Sequence, residues 1–189
     1  MSHIPIAAGG NTLHMSDEER LLEEMPLQPG MRMIDLAGGY GPYSLAMLPA
    51  LGDDGLIYCI DLYEEAIEKL SAYCQENEIT GIRPIVADAS KPLPVKPGSI
   101  DVCFVAAALH DLHREGVSSE AIDTMRQALK PGGILAVHEF SLKEGNRGPD
   151  RKIRLSPEAL DEMVLPHGFE LQRVVDINDN FYLALYEKA

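Results

Sequence analysis

The stretch "MIDLAGGYGPYSLAML" (residues 33–48) decides the fold. A β-like apolar run leaves on an acid, Asp35, and glycines follow at 38, 39 and 41. A helix then opens with Pro42, a residue suited to a first helical turn. Glycines in a strand-to-helix turn let the backbone take positive φ and let a ligand approach where a Cβ would collide. The pattern is Asp35-x-Ala37-x-Gly39-x-Gly41, with Gly38 as an additional glycine. A dinucleotide fingerprint reads GxGxxG. Starting from Gly39, this chain supplies Ser44 where the third glycine belongs. A pyrophosphate seeks helix N–H groups and no neighbouring anion, so Asp35 argues against it. A carboxylate at the head of the loop suits a ligand that carries an ammonium group.

Strands and helices alternate outward from this point. "LIYCID" is a second strand, and the helix after it places Ala66, Ile67, Leu70, Tyr73 and Cys74 on one face. "IRPIVAD" is a third strand, where Pro84 favours a sheet edge because proline donates nothing to the ladder. "SIDVCFVAAAL" is nearly all apolar, as a strand buried on both faces would be. Ser118 or Ser119 caps the next helix, "KPGG" ends it, and "ILAVHEF" is a fifth strand. Ser156-Pro157 opens another helix and Gly168 closes it. "FELQRVV" and "FYLALYEK" form an antiparallel hairpin. Before the first strand, Ser16 and Glu19 make a capping box for a short helix. The whole reads as one α/β domain with a mainly parallel sheet.

Composition narrows the function classes. The 189 residues carry 30 acids against 16 bases, a net charge of −14. That disfavours nonspecific binding to nucleic acid or anionic membrane, where clustered positive charge supplies the attraction. No run approaches the roughly 20 apolar residues of a membrane span, and the first residues lack a secretory pattern. Cys59, Cys74 and Cys103 form no CxxC pair. Reduced, buried thiols in a cytoplasmic protein are the expectation.

Two more acids end successive strands. Asp61 closes the second, where an acid chelates ribose hydroxyls in this architecture. Asp88 closes the third, beside Ala89, where a carboxylate can accept from an adenine amino group. Each acid alone also fits a helix N-cap; the three together point to S-adenosylmethionine, with its ammonium and sulfonium charges. The chain resembles a class I S-adenosylmethionine-dependent methyltransferase from about Leu27 to Tyr186. "MIDLAGGYG", "IYCIDLYEEAIEKL", "IVADASKPLPVKPGSIDVCFVAAALHDL" and "LKPGGILAVHEF" are similar to the family's successive motifs.

The resemblance implies a Rossmann-like doubly wound sheet of seven strands, ordered 3-2-1-4-5-7-6 with strand 7 antiparallel. Residues 1–15 show no clear period and read as an arm or a flap, so that 1–26 form an N-terminal arm and helix, a candidate substrate flap, and 27–189 the methyltransferase domain. The cofactor contacts the resemblance implies are Asp35, Ala37, Gly38, Gly39, Gly41, Asp61, Leu62, Asp88, Ala89 and Ala106, with S-adenosylhomocysteine as product. Ala37 stands where the family has glycine, and alanine fits there if its φ is negative. Within the class, the wording resembles the small-molecule enzymes that include the quinone-ring C-methyltransferases. The rival readings are a nicotinamide-dependent oxidoreductase and a noncatalytic S-adenosylmethionine-binding regulator.

Methyl transfer needs the nucleophile, methyl carbon and sulfur in line and often a base. His110 in "AAALHDLHRE" is the candidate base, with Asp111 or Glu139 orienting its ring; packing beneath the flap is the alternative. Glu139 is the candidate pocket carboxylate, and strand alternation sends His138 to the opposite face. "HDLH" lacks a recognised ligand spacing, so no metal is expected. Lys143, Arg147, Arg151, Lys152 and Arg154 form a basic loop, either a partner for an anionic substrate or a solvated face. Tyr40, Tyr43 and Tyr63 border the cradle or pack beside the sheet. The chain lacks the Asn/Asp-Pro-Pro-Tyr/Phe segment of the amide and nucleobase amine methylators, and it has no GxSxG elbow. The resemblance implies a small-molecule acceptor, with oligomeric state open.

Overall fold

The computed structural model describes residues 11–143 and 147–189. Its seven strands are β1 (Arg32–Leu36), β2 (Leu56–Asp61), β3 (Ile82–Val86), β4 (Ile100–Ala106), β5 (Leu129–Phe140), β6 (Phe169–Asp176) and β7 (Phe181–Lys188). They lie in one sheet in the order β3-β2-β1-β4-β5-β7-β6. β1 to β5 pair in parallel, and β7 runs antiparallel to both β5 and β6. The order reverses between β1 and β4. In such sheets ligands sit beyond the carboxyl ends of the strands at that crevice.

The helices are α1 (Glu18–Glu24), α2 (Pro42–Leu51), α3 (Glu64–Glu76), α4 (Leu109–Arg114), α5 (Ser118–Ala128) and α6 (Pro157–Val164). Two apolar cores result, one on each face of the sheet. Leu21, Met47, Leu70 and Phe181 share the first; Ile122, Met125, Leu160 and Tyr186 share the second. The alternation of β1 explains where Asp35 ends up. Met33 packs into the first core and Ile34 and Leu36 into the second, so Asp35 lies on the face of Met33, where α2 covers it. Pro84 is on an edge strand, as its missing N–H requires.

Local details depart from the sequence reading in four places. The cap of α1 is Asp17, whose carboxylate accepts from the Arg20 N–H at 3.0 Å, while the Ser16 hydroxyl turns inward to His138. Tyr73 is 47% exposed, because α3 buries only the narrower stripe of Ala66, Ile67, Leu70 and Cys74. Neither Ser118 nor Ser119 caps α5; Val117 holds that position without a side-chain bond, and Ser118 begins the helix. "KPGG" falls within the span of β5, whose pairing with β4 shifts register between Ile100 and Val102. All three cysteines are free and buried.

Gly41 shows how tightly the loop is built. It caps α2 with φ +74°, and a Cβ there would stand 2.6 Å from Cδ2 of Leu70. Left-handed backbone and overpacking each cost a side chain roughly 1–3 kcal/mol. Gly41→Ala is therefore expected to lower unfolding free energy by about 2–4 kcal/mol in urea denaturation; an unchanged midpoint would contradict this packing.

Candidate active site

A cavity of about 480 Å³ opens at the carboxyl ends of β1 to β4, within the size range of small-molecule sites. Asp35, Ala37, Gly38 and Gly39 form its floor, with Pro42 and Tyr43 from α2. Asp61 and Leu62 follow from β2, Asp88, Ala89 and Ser90 from β3. Ala106, Ala107, Ala108, Asp111, Leu112, Glu115 and Val117 come from β4 and beyond, and Thr12 from the N-terminal arm. Nine of the ten expected cofactor residues thus share one wall system. The tenth, Gly41, is absent from it: its glycine requirement comes from the α2 cap and Leu70.

Asp35 is the most unusual group present. It is 1% exposed, and its Oδ2 accepts from the Ser44 hydroxyl at 2.6 Å. Desolvation drives its pKa up to about 7; the Ser44 hydrogen bond opposes this and the Asp61 charge adds to it. Near neutrality this carboxyl is poised between its two states, and a cation brought beside it would ionise it fully.

Asp61 organises the loop from the neighbouring strand. Its Oδ2 accepts from the Gly39 N–H at 2.8 Å and its Oδ1 from the Tyr63 N–H at 2.7 Å. At Gly39, with φ +53°, an added Cβ would meet nothing nearer than Asp61 Oδ2 at 4.0 Å, so that face is open to a ligand. Gly38 differs, since a Cβ there would press on Cys59 Sγ at 2.6 Å. Asp88 accepts through Oδ1 from both the N–H and the hydroxyl of Ser90, at 2.8 and 2.7 Å. Burial raises its pKa, but those hydrogen bonds and Lys91 outweigh it and leave the carboxyl below its ordinary value. Leu62 is 40% exposed although it lines the cavity, an apolar face ready to be covered.

Two alanines on this wall are left-handed: Ala37 at φ +57° and Ala107 at φ +49°. The condition under which alanine would fit at position 37, a negative φ, is therefore not met. The loop keeps the geometry that glycine would allow freely, and alanine is strained in it.

His110 and Glu139 meet each other, but neither lines the cavity. Both Glu139 oxygens lie 3.0 Å from His110 Nδ1, and the two residues are 3% and 0% exposed. His138 lies on the other face, stacked on Phe181 at 4.4 Å between ring centroids. Burial lowers its pKa to about 3, so the ring is neutral. Its Nε2 bonds the Ser16 hydroxyl at 3.1 Å, and its Nδ1 lies 3.5 Å from the Tyr43 hydroxyl. Tyr43 in turn bonds Thr12 at 2.9 Å, which fixes that residue at the cavity wall; residues 1–10 of the expected flap lie outside the described residues.

None of Lys143, Arg147, Arg151, Lys152 and Arg154 lines the cavity. Lys143 pairs with Asp176 at 3.1 Å, and Arg154 donates to the carbonyls of Pro149, Ser141 and Arg147. Tyr40 and Tyr63 pack edge to face outside it, so Tyr43 is the single cradle tyrosine on the wall. Sequence reasoning missed Thr12, Ala107, Leu112, Glu115 and Val117. Thr12 sits in a stretch without period, and nothing in an alanine run marks the left-handed member.

A seven-stranded sheet in this order, with a glycine loop and three strand-end acids on one cavity, defines the class I methyltransferase architecture. The comparisons agree. A methyltransferase-domain family model matches residues 27–178, and the chain belongs to that family of S-adenosylmethionine-dependent methyltransferases. Among curated relatives it is 30% identical over 137 residues to the ubiquinone/menaquinone biosynthesis C-methyltransferase UbiE of Azotobacter vinelandii, covering 72% of this chain and 52% of the relative. It is 31% identical over 143 residues to the UbiE of Ectopseudomonas mendocina, covering 75% and 53%. The chain thus spans about half the length of these relatives. A crystal structure of a SAM-dependent methyltransferase from Aquifex aeolicus superposes with TM-score 0.85 at 21% identity, covering 94% of this chain and 93% of that one. Neither the family match nor these relatives support the nicotinamide or regulator readings.

Strain at Ala37 generates a direct test. Ala37→Gly relieves a left-handed side chain that costs about 1–2 kcal/mol, offset in part by the entropy glycine adds to the unfolded chain. The variant should be more stable by up to about 1 kcal/mol. A lower urea midpoint would show that Ala37 is not strained.

Proposed function

We propose that the cavity binds S-adenosylmethionine and that the chain passes its methyl group to a small-molecule acceptor lacking an anionic group. The observation that carries this reading is the buried Asp35 carboxyl at the head of a glycine loop that opens on the same cavity as Asp61 and Asp88. When bound, S-adenosylmethionine supplies an electrophilic methyl carbon on positively charged sulfur.

The chain's own residues then have separable tasks. Asp35 presents negative charge to the ammonium group of the amino-acid end. The Asp61 carboxylate accepts from ribose hydroxyls, and Asp88 from the adenine amino group. Leu62, Leu112 and Val117 supply apolar contact, which excludes water and strengthens those charged hydrogen bonds. Gly39 allows close approach, and Ala37, Gly38, Ala89 and Ala106 complete the wall. Thr12 closes one side, the one described residue of the N-terminal segment on the wall.

The wall also bears on the acceptor. Asp35, Asp61, Asp88, Asp111 and Glu115 line it, and no lysine, arginine or histidine does so among the described residues. With Asp35, Asp61 and Asp88 engaged by the cofactor, an acceptor carboxylate or phosphate would enter beside Asp111 and Glu115 with no cationic side chain of the wall to meet it. Neutral acceptors are favoured, and the names of the curated relatives make an aromatic ring carbon the first to test. No helix among the described residues is long and apolar enough to cross a membrane.

The pH dependence of binding follows from Asp35. Its raised pKa means that ionisation is costly in the empty cavity, and a ligand cation reverses that cost, so binding expels a proton. S-adenosylhomocysteine keeps the same ammonium, and its affinity should rise with pH through about 7. Roughly a tenfold gain between pH 6 and pH 8 is expected by calorimetry, with proton release at the lower pH. Asp35→Asn should bind weakly and lose the slope. A flat profile in the wild type would remove Asp35 from the ammonium subsite. Transfer of labelled methyl from S-adenosylmethionine to neutral rather than anionic phenols tests the acceptor half.

A further inference from the structure

We infer that Glu139 is a positioning residue that acts through His110, stapling the corner between β4 and α4 to β5 and so setting one wall of the cofactor cavity. The link to the cofactor rests on the function proposed above; the staple itself does not.

The corner has little local support. α4 is six residues long, and its cap, Ala108, offers no side-chain hydrogen bond. Ala107 immediately before it is left-handed. The first N–H groups of a helix have no partner within it, and a side-chain oxygen of the capping residue ordinarily satisfies one of them. Here the oxygen comes from another strand. Glu139 Oε1 accepts from the His110 N–H at 3.2 Å, and the His110 ring meets both carboxylate oxygens at 3.0 Å. The Phe140 N–H holds Oε2 from the other side at 3.1 Å. One buried carboxylate therefore joins the helix main chain, the helix side chain and β5.

What it holds is the cavity wall. Ala106, Ala107, Ala108, Asp111 and Leu112 all line the cavity and flank the stapled residue. His110 and Glu139 lie behind that wall, out of reach of a ligand in it, which is the placement of a support and not of a base. The charge on the ring fits this geometry. Burial lowers the His110 pKa, but the hydrogen bond and charge of Glu139, with Asp111, outweigh burial and Arg114 and raise it. α4 itself also carries His113. It packs against α5, which bears Glu120, Asp123 and Arg126, and against the turn at Arg151–Ile153, which bears Arg151 and Lys152.

Three variants of the full chain test the staple. In Glu139→Ala, amide hydrogen exchange across residues 107–115 of the ligand-free protein should quicken at least tenfold, with β1 and β2 unchanged. Its affinity for S-adenosylhomocysteine should fall about tenfold. Glu139→Gln keeps an acceptor for the main-chain donor, and should restore affinity to within about threefold while the His110 ring titrates below its wild-type value by NMR. His110→Ala keeps the carboxylate and its two main-chain donors, and should be intermediate; it decides the matter if Glu139→Ala does not fold. Wild-type exchange at the corner in both alanine variants would overturn the staple. So would Glu139→Gln with intact affinity but abolished methyl transfer, the mark of proton transfer. If the wild type does not bind S-adenosylhomocysteine, the proposed function fails, and ligand-free exchange still judges the staple.

Discussion

Asp35 is almost without water, holds a short hydrogen bond from Ser44, and stands near a second acid, Asp61. A carboxyl placed this way is an unmet electrostatic demand: neutral, it is tolerated; ionised, it wants a cation. The rest of the site is arranged around that demand. β1 alternation delivers the side chain to the face beneath α2, α2 supplies Ser44, and the loop between them leaves Gly39 open. Asp61 then ties the loop to the neighbouring strand through the Gly39 N–H.

The cavity walls are held by borrowed contacts more than by local ones. Asp61 caps a loop that belongs to β1, and Glu139 caps a helix that follows β4. The Thr12–Tyr43 bond and the Ser16–His138 bond fasten the described residues before α1 to α2 and β5. Each wall is therefore built from at least two strands. Left-handed alanines at 37 and 107 persist because these neighbours over-determine the backbone.

Much of this was legible in the residues. Period and punctuation placed the strands, and Pro42 and the Ser156-Pro157 pair marked helix starts as observed. Pro84 anticipated the sheet edge, and the three strand-end acids anticipated one shared cavity. The misses have physical causes. Ser16 resembles a cap, but a buried histidine competes for its hydroxyl, and Asp17 takes the helix end. The basic loop left two readings open in the chain, and only the structure shows that Arg154 serves three backbone carbonyls. His110 has the chemistry of a base, but whether a side chain reaches a cavity depends on how a six-residue helix is anchored, and no pattern in the chain states that.

Side-by-side calorimetric titration of the protein with S-adenosylhomocysteine and with NADH at pH 8 tests the central claim most directly. Saturable heat with the first and none with the second is the outcome that a cavity made for an amino-acid ammonium requires. Tight binding of the dinucleotide, with S-adenosylhomocysteine silent, would contradict it.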